Sequence, residues 1–444
     1  MTLSLGDAEA WLAGLLDVEK RPEVPYARLG LGPIRALLAR LAIPDDALAP
    51  VHVAGSKGKG STALLAEALL AAAGRRVGTF TSPHLERWTE RFRIEGREVG
   101  GERLATTIER LRPHVEALHA EEPASAPTFF DALTAAALLL FHEARVDHAV
   151  LEVGLGGRLD STNAVRPAVA CITTIELEHT DRLGATLAAI AGEKAGIAKP
   201  GVPLVVGRLP DEALRVVLER AREAGAPVTR LGHELEARVL EETPDGQRIR
   251  LRDGDVEAVA WLPVLGPHQA ENAALALACA RRAAGLDGET LVAAARRGLA
   301  RAELPGRVEV LSRAPLVVVD AAHTAASARA LANALARLPR RRTHLVLSVS
   351  AGKDLAAILD ACLPLASEAT LTRAEPQRSL EPAEIAAAAR VAAPDLPLHV
   401  VPNPHLALRG AAEALGPDDC LCVTGSVYLA GIARGVLRQP GGRS

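Results

Sequence analysis

The segment Val51-His-Val-Ala-Gly-Ser-Lys-Gly-Lys-Gly-Ser-Thr62 constrains the fold of this chain more than any other stretch. A short β-branched run enters a glycine-rich turn, which opens into apolar residues at helical spacing. Glycines let backbone N–H groups approach phosphate oxygens, Lys59 adds a point charge, and the helix N-terminus adds its dipole. The segment therefore predicts a phosphate-binding loop between a strand and a helix, formed by Gly55, Ser56, Lys57, Gly58, Lys59, Gly60, Ser61 and Thr62.

This loop departs from the generic phosphate-loop pattern at one position. The generic pattern places Ser or Thr directly after the lysine, whereas Gly60 separates Lys59 from Ser61 here. The structural alternative is a glycine-rich turn without a ligand. The strand before the turn and the helix after it favour nucleoside triphosphate chemistry instead.

Lysine is rare in this chain, which has 6 Lys and 45 Arg. A compact amine binds phosphate and can be carboxylated, and a guanidinium replaces it poorly in both roles. The retained lysines are therefore candidates for chemistry, with chance survival in an Arg-rich composition as the alternative. Those that lie beside glycine-rich or Pro-Gly segments are Lys57, Lys59, Lys194, Lys199 and Lys353.

Composition narrows the class of protein. A chain of 444 residues with 49% hydrophobic residues predicts two or three domains with substantial cores. The formal net charge of −3 gives no basic surface for nucleic acid. The N-terminus lacks the features of a signal peptide, and no apolar run is long enough to span a membrane. Five scattered cysteines support neither a zinc site nor a disulfide framework, so we expect a cytoplasmic protein.

The order of patterns along the chain indicates an α/β fold. Short β-branched runs alternate with helical patterns from residue 51 to residue 206, which is typical of a parallel sheet covered by helices. Residues 227–264 alternate apolar and polar side chains and predict a small antiparallel subregion. A second alternation starts near residue 304. We predict a P-loop-type parallel-sheet ATPase domain over residues 1–300 and a smaller Rossmann-like α/β domain over residues 301–444.

Polar residues follow several strands of the first predicted domain. Glu152 ends a hydrophobic strand, where a carboxylate is well placed to hold nucleotide-bound Mg²⁺. His179 follows the next strand, and Lys194 lies on the helix after it. Asp160 and Asn163 either contact a polar substrate or form a turn. The alternatives for the others are a solvent-facing carboxylate, a structural histidine and a surface lysine.

The second predicted domain has its own polar strand ends. Asp320 and His323 follow one strand, Gly352-Lys-Asp354 follows the next, and Gly425-Ser426 follows the last. Ligands of open α/β sheets bind at this edge. Each signal alone is weak, because Asp and His at strand ends are common turn residues. No G-x-G-x-x-G follows the first strand, so dinucleotide binding is not supported.

Taken together, these motifs resemble the folylpolyglutamate synthase/dihydrofolate synthase family of the Mur ligase superfamily, over residues from about 28 to 433. The resemblance includes the glycine after the loop lysine and the segment Thr81-Ser-Pro-His-Leu85. The other segments that carry it are Pro127 to Phe130, Leu151 to Arg158, Glu193 to Ile197, Gly266 to Gln269 with Asn272, Pro305 to Arg307, Asp320 to His323 and Gly425-Ser426.

The resemblance implies ATP-dependent addition of L-glutamate to a folate or dihydropteroate carboxylate, through an acyl phosphate, by a monomer that uses Mg²⁺. The substrates would sit on different domains, whose closure would exclude water. Lys59 and its loop would hold the ATP phosphates, and Lys194 would carry a carbamate that supports a second metal. Asp320, His323 and Ser426 would serve glutamate or the transfer step. The remaining implied sites are Ser82, Glu152 and His179 for Mg²⁺; Asn272, Arg307 and Asp320 for nucleotide; and Thr128, Phe129, Phe130, Asp131, Leu159, Asp160 and Ser161 for the pterin side.

The chain departs from the family pattern after the first strand of the second predicted domain. The usual Asp-Gly-Ala-His-Asn-Pro reads Asp320-Ala-Ala-His-Thr-Ala325. We expect the loss of an amide donor at Thr324 and a looser helix start at Ala325. Two alternatives remain: another Mur-type ligase acting on a cell-wall precursor, and a catalytically silent nucleotide-binding protein.

Overall fold

A computed structural model describes residues 3–18, 21, 26, 29–44, 46, 48–123 and 126–438. Residue 28, where the resemblance was expected to begin, lies outside this part of the chain. The chain divides into two compact units. The first comprises Met1–Leu240, Arg248–Trp261 and Ala270–Ala302, and the second comprises Glu241–Gln247, Leu262–Gln269 and Glu303–Ser444.

A large, mainly parallel sheet forms the centre of the first unit, with strand order β4-β3-β2-β5-β1-β6-β7-β8. The strands β2, β5, β1, β6, β7 and β8 pair in parallel, and β3 and β4 add an antiparallel edge. The parallel strands are short and almost fully buried, as expected for a sheet covered on both faces. The strand bounds are β1 Val51–Ala54, β2 Val77–Phe80, β3 Phe92–Ile94, β4 Arg97–Glu98, β5 His148–Glu152, β6 Val169–Ile172, β7 Leu204–Val206 and β8 Val228–Arg230.

Residues suited to a helix N-terminus mark the starts of two helices of the first unit. Thr128 and Asp131 form a reciprocal capping box at the start of α5, and the left-handed Gly58 (φ 83°) precedes α3. The helix bounds are α1 Leu5–Gly14, α2 Gly32–Arg40, α3 Lys59–Ala72, α4 Gly101–Glu121, α5 Phe129–Glu143, α6 Thr180–Leu183, α7 Leu187–Ala195, α8 Asp211–Glu223, α9 Pro267–Ala284 and α10 Gly288–Leu299. The first residues of α9 belong to the second unit.

Three consecutive strands form a separate small sheet with order β11-β10-β9. They are β9 Leu235–Thr243, β10 Gly246–Asp253 and β11 Val256–Leu262. Two residues separate each pair, and connections that short join antiparallel neighbours. The antiparallel pattern of the sequence is thus real, but Val228–Arg230 is the parallel strand β8 and not part of it. The helix α8, which makes this parallel crossover possible, was not predicted from the sequence.

The second unit is also an α/β layer structure, with strand order β12-β13-β17-β14-β15-β16. Strands β13 to β17 pair in parallel, and the antiparallel β12 was not predicted from the sequence. The strands are β12 Glu309–Arg313, β13 Leu316–Val319, β14 Thr343–Leu347, β15 Glu368–Leu371, β16 Leu398–Val400 and β17 Cys420–Thr424. The helices are α11 Ala325–Leu335, α12 Leu355–Cys362, α13 Pro382–Ala392, α14 Pro404–Glu413 and α15 Val427–Leu437.

The five cysteines are all buried, and none of them forms a disulfide. In the described part of the chain, no helix combines the length and the apolar character that crossing a membrane requires.

His52 makes the stability of the first unit depend on pH. Its side chain is fully buried in β1, and burial, together with the charge of Lys199, lowers the pKa of His52 to about 3. The unfolded chain binds a proton on this imidazole below about pH 6.5, whereas the folded chain does not. We therefore expect the free energy of unfolding to fall by about 2 kcal/mol from this group between pH 7 and pH 5.

Urea unfolding at the two pH values tests this expectation with His52→Gln, in which the pH dependence should weaken by that amount. The exposed His233→Gln is the control and should keep the wild-type dependence. An unchanged slope in His52→Gln would contradict the assignment.

Candidate functional site

The carboxyl ends of the central strands bring the predicted residues of the first unit to one edge of its sheet. β1 lies between β5 and β6 in parallel register, with Val53 paired to both Glu152 and Cys171. The phosphate loop therefore leaves the sheet between the segments that follow β5 and β6. This position outside the strand ends is where open α/β sheets bind ligands.

Hydrogen bonds from the segment after β6 fix the first half of the phosphate loop. The Lys57 amide donates to Thr174 Oγ1 at 2.8 Å, and the Lys57 carbonyl accepts from Thr173 Oγ1 at 2.5 Å. The Ser56 amide donates to the Thr174 carbonyl at 2.8 Å. These amides are therefore engaged with the protein. The second half of the loop, from Gly58 to Ser61, forms the start of α3. The backbone amides of a helix N-terminus can bind an anion such as phosphate.

Two lysine ammonium groups converge on the carbonyl of Gly55. Lys59 Nζ donates to this oxygen at 2.9 Å, and Lys194 Nζ donates to it at 3.0 Å. Lys194 reaches it from α7 and is 2% exposed. Burial, together with the charge of Lys59, lowers the pKa of Lys194 to about 8. Near neutral pH, a larger fraction of this amine is therefore neutral than in an exposed lysine.

The carboxylate of Glu178 is a counter-charge for Lys194 and for the loop residue Lys57. One oxygen accepts from Lys194 Nζ at 3.1 Å and the other from Lys57 Nζ at 3.1 Å. Burial raises the pKa of Glu178, but the charges of Lys59, Lys194 and Lys57 outweigh it and hold that pKa well below its usual range. Glu178 is thus an ionised, nearly buried bridge between two cations.

Glu152, which the resemblance implies as a metal ligand, lies beside Gly60 of the loop. It is the last residue of β5 and is 5% exposed, and its Oε2 accepts from the Ser82 amide at 2.9 Å. A Cβ on Gly60 would lie 3.3 Å from Oε2, so glycine leaves room beside the carboxylate. Carboxylate and hydroxyl oxygens suit Mg²⁺.

His179, the third implied metal ligand, precedes α6 in the left-handed conformation, with φ 47° and ψ 41°. Strained backbone of this kind is concentrated at functional sites. Among the described residues, no three His, Cys, Asp or Glu side chains form a metal-binding group. The implied set includes a serine hydroxyl and is not of that type.

Asn272 on α9 packs against the phosphate loop within the first unit. Thr62 Oγ1 donates to its Oδ1 at 3.5 Å, and a Cβ on Gly58 would lie 2.6 Å from the same atom. Ser61 and Thr62 are buried at the start of α3. Asn272 therefore lies beside the loop, and its contact with a nucleotide stays a prediction.

The residues implied for the pterin side form a connected group at the start of α5. Asp131 accepts from the Thr128 amide at 2.8 Å and from Ser161 Oγ at 2.6 Å. Burial raises the pKa of Asp131, although these hydrogen bonds oppose it. Its carboxylate thus joins two predicted segments of the site. Phe130 is partly exposed beside it.

Asp160 and Asn163 serve mainly as turn residues. Asp160 accepts from the amides of Leu155 and Thr162 at 2.9 and 3.0 Å. Asn163 donates to the carbonyls of Arg158 and Gly196. Both side chains are buried, and the neighbouring Leu159 is partly exposed. The turn interpretation from the sequence fits these two positions.

In the second unit, Asp320 is buried and braces the chain after β13. Its oxygens accept from the amides of Val308 and Ala322, both at 2.7 Å. Burial raises the pKa of Asp320, while the backbone donors and the charge of Arg307 oppose that shift. Arg307 Nη1 donates to the Gly306 carbonyl at 3.1 Å.

His323 and Ser426 lie on neighbouring strand ends of this unit. His323 Nδ1 lies 2.9 Å from the Ala321 carbonyl, so this nitrogen carries the hydrogen. Ser426 is buried and caps α15 by accepting from the Tyr428 amide at 3.2 Å. The structure therefore gives Ser426 a helix-capping role whatever else it binds.

The unusual Thr324 has a structural role. Thr324 and Ser327 form a reciprocal capping box, and α11 begins at Ala325. The threonine hydroxyl therefore supplies a cap at this helix start, and the expectation of a looser start at Ala325 without proline stays a prediction.

Two groups of residues near the site were not predicted from the sequence. Glu178 was inside a quoted motif, but nothing in the sequence indicated that it would bridge Lys57 and Lys194. His84 and Trp88 follow Ser82 in the chain and form ring contacts with each other at 5.4 Å. Their only signal was the distinctive segment Thr81 to Leu85.

Family models match both units. The Mur ligase middle domain matches residues 53–280, and the Mur ligase glutamate ligase domain matches residues 306–427. The Mycobacterium tuberculosis protein named dihydrofolate synthase/folylpolyglutamate synthase is 37% identical over 402 residues, which cover 85% of this chain and 82% of that protein.

A Halobacterium salinarum protein named probable bifunctional folylpolyglutamate synthase/dihydropteroate synthase is 38% identical over 90% of this chain. This chain spans only 48% of that relative.

Two solved structures resemble the chain over 99% of its length and of theirs. A Mycobacterium tuberculosis folylpolyglutamate synthase complexed with ADP has a TM-score of 0.88 and 34% identity. The bifunctional folylpolyglutamate synthase/dihydrofolate synthase of Yersinia pestis, complexed with AMPPNP and a Mn ion, has a TM-score of 0.83 and 32% identity.

Glu178→Gln tests the charge balance of the lysine group. The variant keeps the shape of the side chain but leaves Lys57 and Lys194 without a counter-charge near Lys59. We expect the free energy of unfolding of the first unit to fall by about 3 kcal/mol, as for other broken buried ion pairs. Urea unfolding at pH 7.5 measures this change.

The matched control is Glu271→Gln, which breaks the exposed ion pair with Arg208. It should cost less than about 1 kcal/mol. Equal losses in the two variants would show that Glu178 does not balance the lysines.

Proposed function

We propose the function of this chain from one premise: it belongs to the folylpolyglutamate synthase/dihydrofolate synthase family of the Mur ligases. The chain is an ATP-dependent ligase that adds L-glutamate to the carboxylate of dihydropteroate or of a folate. The observation that carries this proposal is the phosphate loop, with Lys59 and Lys194 on the Gly55 carbonyl and Glu152 beside Gly60.

The first step of the reaction makes an acyl phosphate. The substrate carboxylate oxygen attacks the γ-phosphorus of ATP, the bond to the β,γ-bridging oxygen breaks, and ADP leaves. Lys59 exchanges its bond with Gly55 for phosphate oxygens and stabilises the charge that spreads over them. The α3 N-terminus acts in the same direction through its amides.

The second step forms the amide bond. The neutral amine of L-glutamate attacks the acyl carbon, the tetrahedral intermediate collapses, and inorganic phosphate leaves with the former carboxylate oxygen. The imidazole of His323 is the candidate group for orienting glutamate or accepting the amine proton. Its Nδ1 donates to the Ala321 carbonyl, so Nε2 is the ring nitrogen that can accept a proton. Arg307, Asp320 and Ser426 keep the roles that the resemblance implies.

Ser82, Glu152 and His179 would hold the divalent cation, which we propose to be Mg²⁺. When bound, such an ion neutralises charge on the transferring phosphoryl group. The room beside Glu152 at Gly60 supports this assignment.

Lys194 is the proposed carbamate site. Its amine would attack CO₂, form a C–N bond and release one proton. The lowered pKa of about 8 favours the reactive neutral amine. Glu178 would keep Lys57 as a cationic partner after Lys194 loses its charge.

We extend the proposal to the organisation of the protein. The ATPase domain spans residues 1–300 and includes the small antiparallel subregion, and the glutamate ligase domain spans residues 301–444. The enzyme acts as a monomer. We place it in the cytoplasm, where thiols stay reduced, because none of its five cysteines forms a disulfide.

Phosphate release from ATP tests the reaction directly. We expect glutamate-dependent release with dihydropteroate, with a reduced folate monoglutamate, or with both. The pattern assigns dihydrofolate synthesis, chain extension or a bifunctional enzyme. Release with a UDP-muramyl substrate alone would favour a cell-wall ligase, and ATP binding without release would favour a silent nucleotide-binding protein.

Lys59→Ala should lower kcat by ~100-fold or more, because it removes a charge that stabilises the transferring phosphoryl group. Lys199→Ala is the matched control, since Lys199 donates to the Asn163 carbonyl and not to the loop. Steady-state phosphate release measures both. A near-normal kcat in Lys59→Ala would refute the phosphate-loop assignment.

Lys194→Ala should lose most activity and recover part of it in acetate, because a small carboxylate can occupy the place of the carbamate. Lys59→Ala in acetate is the control and should not recover. Absence of rescue, or full activity without acetate, would count against the carbamate.

A further inference from the structure

Aromatic residues are unusually scarce and unusually concentrated in this chain. Only 2% of its residues are Phe, Trp or Tyr. All five phenylalanines and two of the three tryptophans nevertheless belong to one apolar cluster of the first unit. Phe80, Phe92 and Phe141 fill its interior, whereas Trp88 and Phe130 remain partly exposed. We call the side chains of His84, Trp88, Phe129 and Phe130 the aromatic wall.

Direct ring contacts connect His84, Trp88 and Phe129, and Phe130 contacts the core. The Trp88 and Phe129 rings meet edge to face at 5.6 Å, and the His84 ring lies 5.4 Å from Trp88. Phe130 packs on Phe80 with ring centroids 5.8 Å apart. The wall thus rests on the buried core of the unit.

The backbone around Trp88 is held rigidly. The carboxylate of Glu90 accepts from the amides of Leu85, Glu86 and Arg87 at 2.8 to 3.0 Å. Arg91 donates to His84 Nδ1 at 2.9 Å and lies 5.7 Å from the centre of the Trp88 ring. A preorganised aromatic surface loses little conformational freedom when it binds a ligand.

The wall starts beside the residues assigned to the chemistry. A Cβ on Gly154, two residues after Glu152, would lie 2.6 Å from the Phe130 ring, so the ring touches the backbone there. Ser82 lies on the same segment as Trp88, and its amide donates to Glu152. A ligand with its carboxylate near Glu152 would therefore have an aromatic surface within reach.

We propose that Trp88 is a specificity-determining residue that packs against the pterin ring of the substrate. The family resemblance implies only Phe129 and Phe130 of the wall for the pterin side, and Trp88 would add a third aromatic contact. This inference rests on the proposed function. A flat heteroaromatic ring suits the face of an indole, and stacking adds to the affinity gained from burial. His84 and Arg91 act as positioning residues that hold the indole in place.

The test compares Trp88→Leu, which keeps apolar bulk without a ring, with Trp88→Phe, which keeps an aromatic face. We expect Trp88→Leu to raise the KM for dihydropteroate roughly 10-fold, as the loss of an aromatic contact predicts. Its kcat and its KM for ATP should stay near wild type, and Trp88→Phe should stay near wild type throughout. Trp261→Leu, at a tryptophan outside the cluster, is the matched control.

A truncated substrate distinguishes ring contact from a structural effect. p-Aminobenzoate has the reacting carboxylate of dihydropteroate but lacks the pterin, so its KM should be the same in wild type and Trp88→Leu. An unchanged KM for dihydropteroate in Trp88→Leu, or an equal rise for ATP and for the truncated substrate, would overturn the inference alone. Absence of turnover of every pteroate and folate by wild type would overturn the proposed function and this inference with it.

Discussion

The parallel pairing of β1 with β5 on one side and β6 on the other is the constraint on which the site depends. Parallel neighbours end at the same edge of the sheet. The strand pairing alone therefore brings together the phosphate loop, Glu152 and the segment of Glu178 and His179. Short buried strands supply this arrangement, and their apolar side chains fix the register. The chemistry is then decided by a few polar residues at the strand ends.

The electrostatics of this edge depends on how three lysine charges are compensated. Lys57, Lys59 and Lys194 gather around one loop, and Glu178 is the carboxylate that bonds two of them. Burial of Lys194 would be costly without that partner. The same arrangement leaves its amine easier to deprotonate than an exposed lysine. In the proposed function, Lys59 of this group supplies the phosphate-binding charge and Lys194 the reactive amine.

The strands and helices that the sequence predicted well are those with a strong local pattern. The run Val51–Ala54 before the glycines predicted β1 and α3, and Glu152 at the end of an apolar run predicted its place beside the loop. Val228–Arg230 was assigned to the wrong sheet, because three residues carry too little pattern to reveal a parallel partner. The helix cap at Thr324 was missed because its value depends on Ser327, which only the folded helix start brings into contact.

Residues whose roles come from distant contacts could not be predicted. Glu178 lies 121 positions from Lys57 and 16 from Lys194, and no local pattern links them. The ring contact of Trp88 with Phe129 likewise joins two segments that are far apart in the chain. The roles proposed for Ser82 and Lys194 come from the family resemblance, because spacing alone would have left them open.

The central claim is that this edge of the sheet activates a carboxylate as an acyl phosphate. The most direct measurement uses dihydropteroate or a folate labelled with ¹⁸O in the reacting carboxylate, with ATP and L-glutamate. We expect one labelled oxygen to appear in the inorganic phosphate for each amide formed, because the carboxylate oxygen leaves with the phosphoryl group. Amide formation with unlabelled phosphate would contradict the account.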